Sequence, residues 1–151
     1  MAKKEEPVLG IRAQYVKDLS FENINSVSRT EAGEEDEPKI DMRLKVNVEK
    51  GDEANLFEVS LITKIDAKLK KPLFILELNY TGEFIVEGFS PDDSKAILYT
   101  ECPRLLFPFA RSIVANTVAD GGFPPLYLAP VDFANLYRQQ DGPQDDKASK
   151  K

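Results

Sequence analysis

Residues 102–137 read CPRLLFPFARSIVANTVADGGFPPLYLAPVDFANLY, and this stretch decides the architecture. Nearly every large side chain in it is apolar. Leu105, Leu106, Phe109, Ile113, Val114 and Val118 recur at helical spacing, and Phe107, Ala110 and Ala115 widen the stripe. That pattern predicts a helix apolar around most of its circumference, and such a helix must be buried on more than one side. Cys102-Pro103 opens it, because proline suits the first helical position. Pro108 either kinks the first turn or marks the true start, with Phe107 outside. Gly121-Gly122 ends the helix by admitting left-handed backbone angles. In residues 123–131, Pro124, Pro125 and Pro130 forbid a regular helix or a central strand, yet Phe123, Leu126, Tyr127, Leu128 and Val131 are large and apolar. Such a segment either walls a groove or packs on its own core. Asp132 is placed to cap a short second helix with Phe133, Leu136 and Tyr137 along one side.

Upstream the apolar period changes to two. Ile11, Ala13, Tyr15, Leu19 and Phe21 fall on one parity, and Arg12, Gln14, Asp18, Ser20 and Glu22 on the other. This predicts a half-buried strand, with Val16 and Lys17 each out of place, on which Asp18 and Glu22 project from one face. The bland reading of those acids is a solvated sheet surface. Residues 40–49 alternate most cleanly, with Ile40, Met42, Leu44, Val46 and Val48 between polar residues. Residues 50–53 make a turn, residues 56–65 a third strand, and residues 66–71 a charged link. In residues 73–86, Phe74, Leu76, Leu78, Tyr80, Phe84 and Val86 share a parity, while Ile75 and Glu77 lie together on the other. Gly82 marks a bulge or a bend. Residues 88–93 read as a turn carrying Pro91, and residues 94–100 fit either strand or helix.

Four strands, each apolar on one side, predict an antiparallel sheet with one wet face. The apolar last third is the candidate cover for the dry face. The fold class is α+β: a four-stranded antiparallel sheet with one long and one short helix on one face. One sheet covers only one side of the long helix. A second subunit would cover the other through Leu106, Phe109, Ala110, Ile113, Val114 and Val118, giving a homo-oligomer. Each large apolar side chain so covered contributes about 1.5–3 kcal/mol.

Composition narrows the function. The 151 residues suit one domain, and 42% hydrophobic content supports a core. With 20 Lys+Arg against 26 Asp+Glu the net charge is -6, which disfavours nucleic acid and favours basic partners. Histidine is absent, removing the commonest general base and metal ligand. The lone Cys102 builds neither a disulfide nor a zinc site and fits a reducing compartment. No GxGxxG, P-loop or GxSxG motif occurs. No catalytic residue, cofactor or metal is expected. Neither a membrane span nor a secretory h-region is present, so a cytoplasmic protein without membrane insertion is expected.

From about Ile11 to Tyr137 the chain resembles SecB, the family of bacterial cytosolic export chaperones. The resemblance is strongest in QYVKDLSFE, residues 14–22, and in ECPRLLFPFARSIVANTVADGGFPPLYLAPVDFANLY, residues 101–137. It implies a chaperone domain over residues 10–138, between a disordered start at 1–9 and a disordered tail at 139–151. It also favours helix for residues 94–100. The resemblance further implies a homotetramer, a dimer of dimers with the long helices between the sheets. Its partners would be unfolded secretory precursors and the SecA ATPase, and it would hydrolyse no nucleotide. The family's SecA-docking surface maps onto Asp18, Glu22, Ile75 and Glu77. Its client groove maps onto Phe123, Pro124, Leu126 and Tyr127. Phe74, Leu76, Leu78 and Tyr80 match a segment linked to assembly and client binding, or are plain sheet core. The short tail, with Lys147, Lys150 and Lys151, and a first loop poor in aromatics depart from better-known members. The alternative is a SecB-like chaperone serving another system, such as toxin-antitoxin control, without SecA docking.

Overall fold

In a computed structural model, which describes residues 6–25 and 37–141, the order is four strands and then three helical segments. They are β1 (Val8–Asn23), β2 (Lys39–Lys50), β3 (Leu56–Lys68), β4 (Pro72–Glu87), α1 (Pro91–Tyr99), α2 (Glu101–Asp120) and α3 (Phe133–Asp141). β1 already begins at Val8, inside the stretch expected to be disordered. The acid-rich connection after β1, with Glu31, Glu34, Glu35 and Asp36, and the tail beyond 141 with its three lysines, lie outside the described residues.

The strands form one antiparallel sheet in the order β1-β4-β3-β2. Alternation makes this sheet one-sided. Leu76 and Leu78 on β4 stand beside Ile65 and Thr63 on β3, and all four are buried beneath α2. The opposite face carries Glu77, Asn79 and Glu83 beside Lys64, Ile62 and Glu58. β3 runs on through Lys68, so the charged link predicted at 66–71 shrinks to a turn.

β1 departs from its predicted single alternation. Register shifts between Ile11 and Ala13, and between Val16 and Asp18, insert Arg12 and Lys17 as extra residues. Each bulge reverses which side chains face the helices. Ile11, Val16, Leu19 and Phe21 therefore share the helix side, paired with Phe84, Tyr80, Leu78 and Leu76. Ala13 and Tyr15 stand on the opposite face, beside Glu83 and Thr81. Val16 and Lys17, the two residues out of phase in the sequence, are where the second shift falls.

The last third forms a long bent helix and a short one. α1 starts at Pro91, earlier than the turn reading allowed, because Ser90 caps it: Ser90 Oγ accepts a hydrogen bond from the Asp93 N–H at 3.1 Å. Thr100 leaves helical angles, at φ -123 and ψ -64, and separates α1 from α2. α2 continues through Pro108, which lies on its exposed side, and Phe107 is buried inside the helix rather than left outside it. There the carbonyl that proline leaves unpaired can reach water. α2 ends in a Schellman arrangement: the Gly122 N–H donates to Ala119 O at 3.0 Å and the Phe123 N–H to Val118 O at 3.2 Å. The left-handed residue is Gly122, at φ 92.

Gly82 sits in regular register with Gln14 and Val59, so it makes no bulge. Its role is close approach. A Cβ there would lie 2.7 Å from the Phe84 ring and 2.9 Å from Leu106 Cδ2, so glycine lets α2 press onto β4.

One polar group beneath α2 is unsatisfied. Thr63 Oγ1 is buried with no hydrogen-bond partner among the described residues. Valine has nearly the same shape and no hydroxyl to desolvate. Thr63→Val is expected to raise stability by about 1–2 kcal/mol, read as a higher urea midpoint at unchanged slope. A lower midpoint would mean that the hydroxyl is paired after all.

Cys102 is fully buried in the first turn of α2. Burial, helped by the charge of Glu101, pushes its thiol up to about 12. The thiolate is the reactive form. Native protein at pH 8 is therefore expected to resist iodoacetamide for hours and to be alkylated within minutes in denaturant, as followed by mass spectrometry.

Candidate functional site

The chain presents two distinct surfaces on opposite sides of the sheet. On the outer face, Glu22 pairs with Ile75, Ser20 with Glu77, and Asp18 with Asn79. The four residues predicted for docking, Asp18, Glu22, Ile75 and Glu77, thus come together on adjacent strands. Asp18, Glu22 and Glu77 are exposed and Ile75 is half-buried. Glu77 is not free: Lys64 Nζ lies 3.5 Å from its Oε1. Further along the same face, Lys17 Nζ reaches across β4 to Glu58 at 2.7 Å, and the Tyr15 hydroxyl donates to Glu58 at 3.2 Å. The Lys17 hydrogen bond holds Glu58 below the usual carboxylate range, while burial first, and then the Glu58 charge, push the Tyr15 phenol up. Arg12 joins Glu53 and Glu83 beside them. These bonds hold the bulged strand against its neighbours and leave the Asp18–Glu22 end open.

The helix side is apolar and incompletely covered. α2 packs over β3 and β4 and reaches β1 only at Phe21, so the middle of the helix side of β1 is left bare. Ile11 and Val16 are 44% exposed and Leu19 is 40% exposed. Phe109, 47% exposed on a flank of α2, stacks on Tyr80 at 6.1 Å and joins this strip. The predicted oligomer surface therefore divides. Leu106, Ala110, Val114 and Val118 face the sheet and are core, Phe109 lies exposed on the adjoining flank, and Ile113 is half-buried. Leu105, also exposed, belongs with Phe109. Periodicity had ranked all six together because the helix is apolar on both sides.

Residues 123–131 lie along α2, pinned where Arg111 Nε donates to Leu128 O at 2.8 Å and Arg111 faces the Tyr127 ring at 5.5 Å. Of the predicted groove residues, Tyr127 is 64% exposed, Pro124 is exposed and Leu126 is half-buried. Phe123 instead turns inward, 4.9 Å from the Phe74 ring, with Phe21 completing the cluster. Phe74, Leu76, Leu78 and Tyr80 are buried in this chain, as the sheet-core reading has them, and Phe123 is buried with them. Phe74 also lines an open cleft of about 590 Å³ between the ends of β1 and β2, whose walls include Ile24 and Ile40 and, from the outer face, Asp41, Asp66 and Ile75. Those two isoleucines, with Ile11, Val16 and Leu19, are exposed apolar residues that sequence reasoning missed; the phase break at Val16-Lys17 was the available signal. Asp132 caps α3 as predicted, its Oδ1 accepting from the Asn135 N–H at 3.0 Å. α3 leans on α2 through Phe133 against Phe107 and on α1 through Tyr137 against Tyr99. Among the described residues no helix is long and apolar enough to cross a membrane.

A one-sided antiparallel sheet under a bent helix, with an uncovered apolar strip on one side and a charged face on the other, defines a protein that works by binding other chains. The family model of the preprotein translocase subunit SecB matches residues 2–144. The protein-export protein SecB of Parvibaculum lavamentivorans is 44% identical over 146 residues, covering 96% of this chain and 86% of its own. That of Afipia carboxidovorans is 48% identical over 139 residues, with 88% and 82% covered. The chain belongs to the SecB family, and it is accordingly a protein-export chaperone and not an enzyme. The same fold occurs in the SecB-like chaperone Rv1957 of Mycobacterium tuberculosis, solved in complex with a ChAD peptide from the Rv1956 HigA1 antitoxin. That structure superposes with a TM-score of 0.68 at 14% identity, over 82% of this chain and 90% of the other.

Proposed function

We propose that this chain is a cytoplasmic holdase that keeps export precursors unfolded without ATP and delivers them to SecA. Family membership supports the export role. The single observation that carries the two-partner reading is the separation of surfaces: apolar Leu126 and Tyr127 left accessible on the crossing segment along α2, exposed acids on the opposite sheet face. Apolar contact favours any extended unfolded chain, so client selection is broad. Exposed Pro124, half-buried Leu126 and exposed Tyr127, together with the cleft lined by Phe74, are the client-contacting elements. Asp18, Glu22 and Glu77 attract a basic segment of SecA, with Ile75 as the apolar contact, and such attraction weakens with salt.

The strip formed by Ile11, Val16, Leu19 and Phe109 is covered by sister copies in a homotetramer arranged as a dimer of dimers. β1 is an edge strand, so its backbone is also open to pairing. The reading is tested by light scattering from an aggregating denatured precursor. Stoichiometric tetramer is expected to suppress the aggregation with no nucleotide present; undiminished aggregation would reject the holdase reading. The second reading, service to a toxin-antitoxin system, is favoured by the antitoxin peptide bound to the Mycobacterium protein. Glu77→Lys separates the two: it is expected to abolish capture by immobilised SecA, and no capture by the unaltered chain would favour the second reading.

A further inference from the structure

The paired residues of the open sheet face form transverse rows. One row runs Arg43, Lys64, Glu77, Ser20 from β2 to β1. The row on one side runs Lys45, Ile62, Asn79, Asp18, and that on the other Asp41, Asp66, Ile75, Glu22. Arg43, Lys45 and Lys64 therefore stand on β2 and β3, while Glu77, Asp18 and Glu22 stand on β4 and β1, and all six are exposed. Neighbouring strands are about 4.8 Å apart, so a cationic cluster of Arg43, Lys45 and Lys64, bordered in the next row by Asp41 and Asp66, lies beside an anionic strip. They meet at the Lys64–Glu77 pair, 3.5 Å apart. On the cationic side Asp41 approaches Arg43 at 4.0 Å, while Lys64 has Glu77 as its ion-pair partner among the described residues.

A uniformly basic segment laid over Glu77 meets Lys64 twice, as a competitor for the carboxylate and as a like charge. A segment with basic groups over β4 and β1 and an acid over Lys64 satisfies both. We infer that Lys64 is a specificity-determining residue of the docking face, selecting a partner segment in which acid lies beside base and rejecting uniformly basic chains. This rests on the proposed docking of SecA at Asp18, Glu22 and Glu77, and it adds the chemistry of the surface that docks there. It also gives the chaperone a way to keep basic stretches of unfolded clients off the docking face, since like-charge juxtaposition discriminates between partners.

The test compares binding of SecA and of octalysine to the full chain, by fluorescence anisotropy at low salt. Lys64→Glu is a surface change, and circular dichroism checks that the fold is kept. The variant is expected to bind octalysine about twofold to fivefold more tightly and SecA more weakly by a similar factor. Opposite signs for the two probes are the signature. SecA binding that tightens or stays unchanged, or octalysine binding that does not tighten, overturns the inference. Glu77→Lys tests the underlying reading separately: if SecA binding survives that reversal, SecA docks elsewhere.

Discussion

Phe109→Glu is expected to break the assembly while leaving the protomer folded. Phe109 lies on an exposed flank of α2, 47% exposed, with one side stacked on Tyr80 at 6.1 Å. In an isolated chain its loss removes only part of an aromatic contact, worth about 0.5–1.5 kcal/mol. In the proposed tetramer the same position is covered by another copy. A carboxylate there would be buried without a cation, at an effective cost of several kcal/mol at each interface. Because symmetry repeats the substitution in every subunit, the penalty multiplies. Multi-angle light scattering is expected to give a mass below that of the tetramer at micromolar protein, with an unchanged far-ultraviolet circular dichroism spectrum. A variant that stays tetrameric would place the subunit contact elsewhere.

Leu106→Ala has the opposite character. Leu106 is fully buried, and its Cδ2 approaches the position that a Gly82 Cβ would take. The contact is between a rigid helix and a central strand, so the site has little freedom to collapse around a void. Loss of the side chain costs the transfer term plus the cavity term, about 3–4 kcal/mol. Thermal unfolding is expected to shift down by roughly 10 °C for a chain of this size. Leu106→Met keeps the volume and should cost less than about 1.5 kcal/mol. If Leu106→Ala unfolded within a degree or two of the unaltered chain, α2 would not be seated on Gly82 as described. The two substitutions lie three residues apart on adjoining flanks of one helix and separate its roles: the buried flank holds the fold, the exposed flank holds the assembly.

The two strands with clean alternation, β2 and β4, were legible because their pairing is regular along the exposed acids and the buried leucines alike. β1 was legible as a strand but not in its facing. A bulge is a mismatch between two strands, so nothing within one strand assigns it until the partner is known. Val16 and Lys17 carried the hint, an apolar and a charged residue out of phase side by side. The start of α1 was more readable than the turn assignment recognised, since Ser90 followed by Pro91, Asp92 and Asp93 is a helix-start pattern with cap, proline and acidic first turn. Of the candidate site residues, Asp18 and Glu22 could be placed together within their own strand, and Ile75 and Glu77 within theirs. That the two pairs share a face follows only from β1 pairing with β4.

The sequence by itself determined the one-sided sheet, the long apolar helix with its glycine stop, the proline-bound crossing and the capped final helix. These are local patterns, set by side-chain period and backbone chemistry within a few residues. The tertiary structure decided which side of α2 is core, since an all-round apolar helix gives no internal sign of its inward face. It also decided that Phe123 closes the core while Tyr127 stays in water, and that Lys64 sits against Glu77. Each of these depends on strand order and register, which bring together residues far apart in the chain and which no single segment encodes.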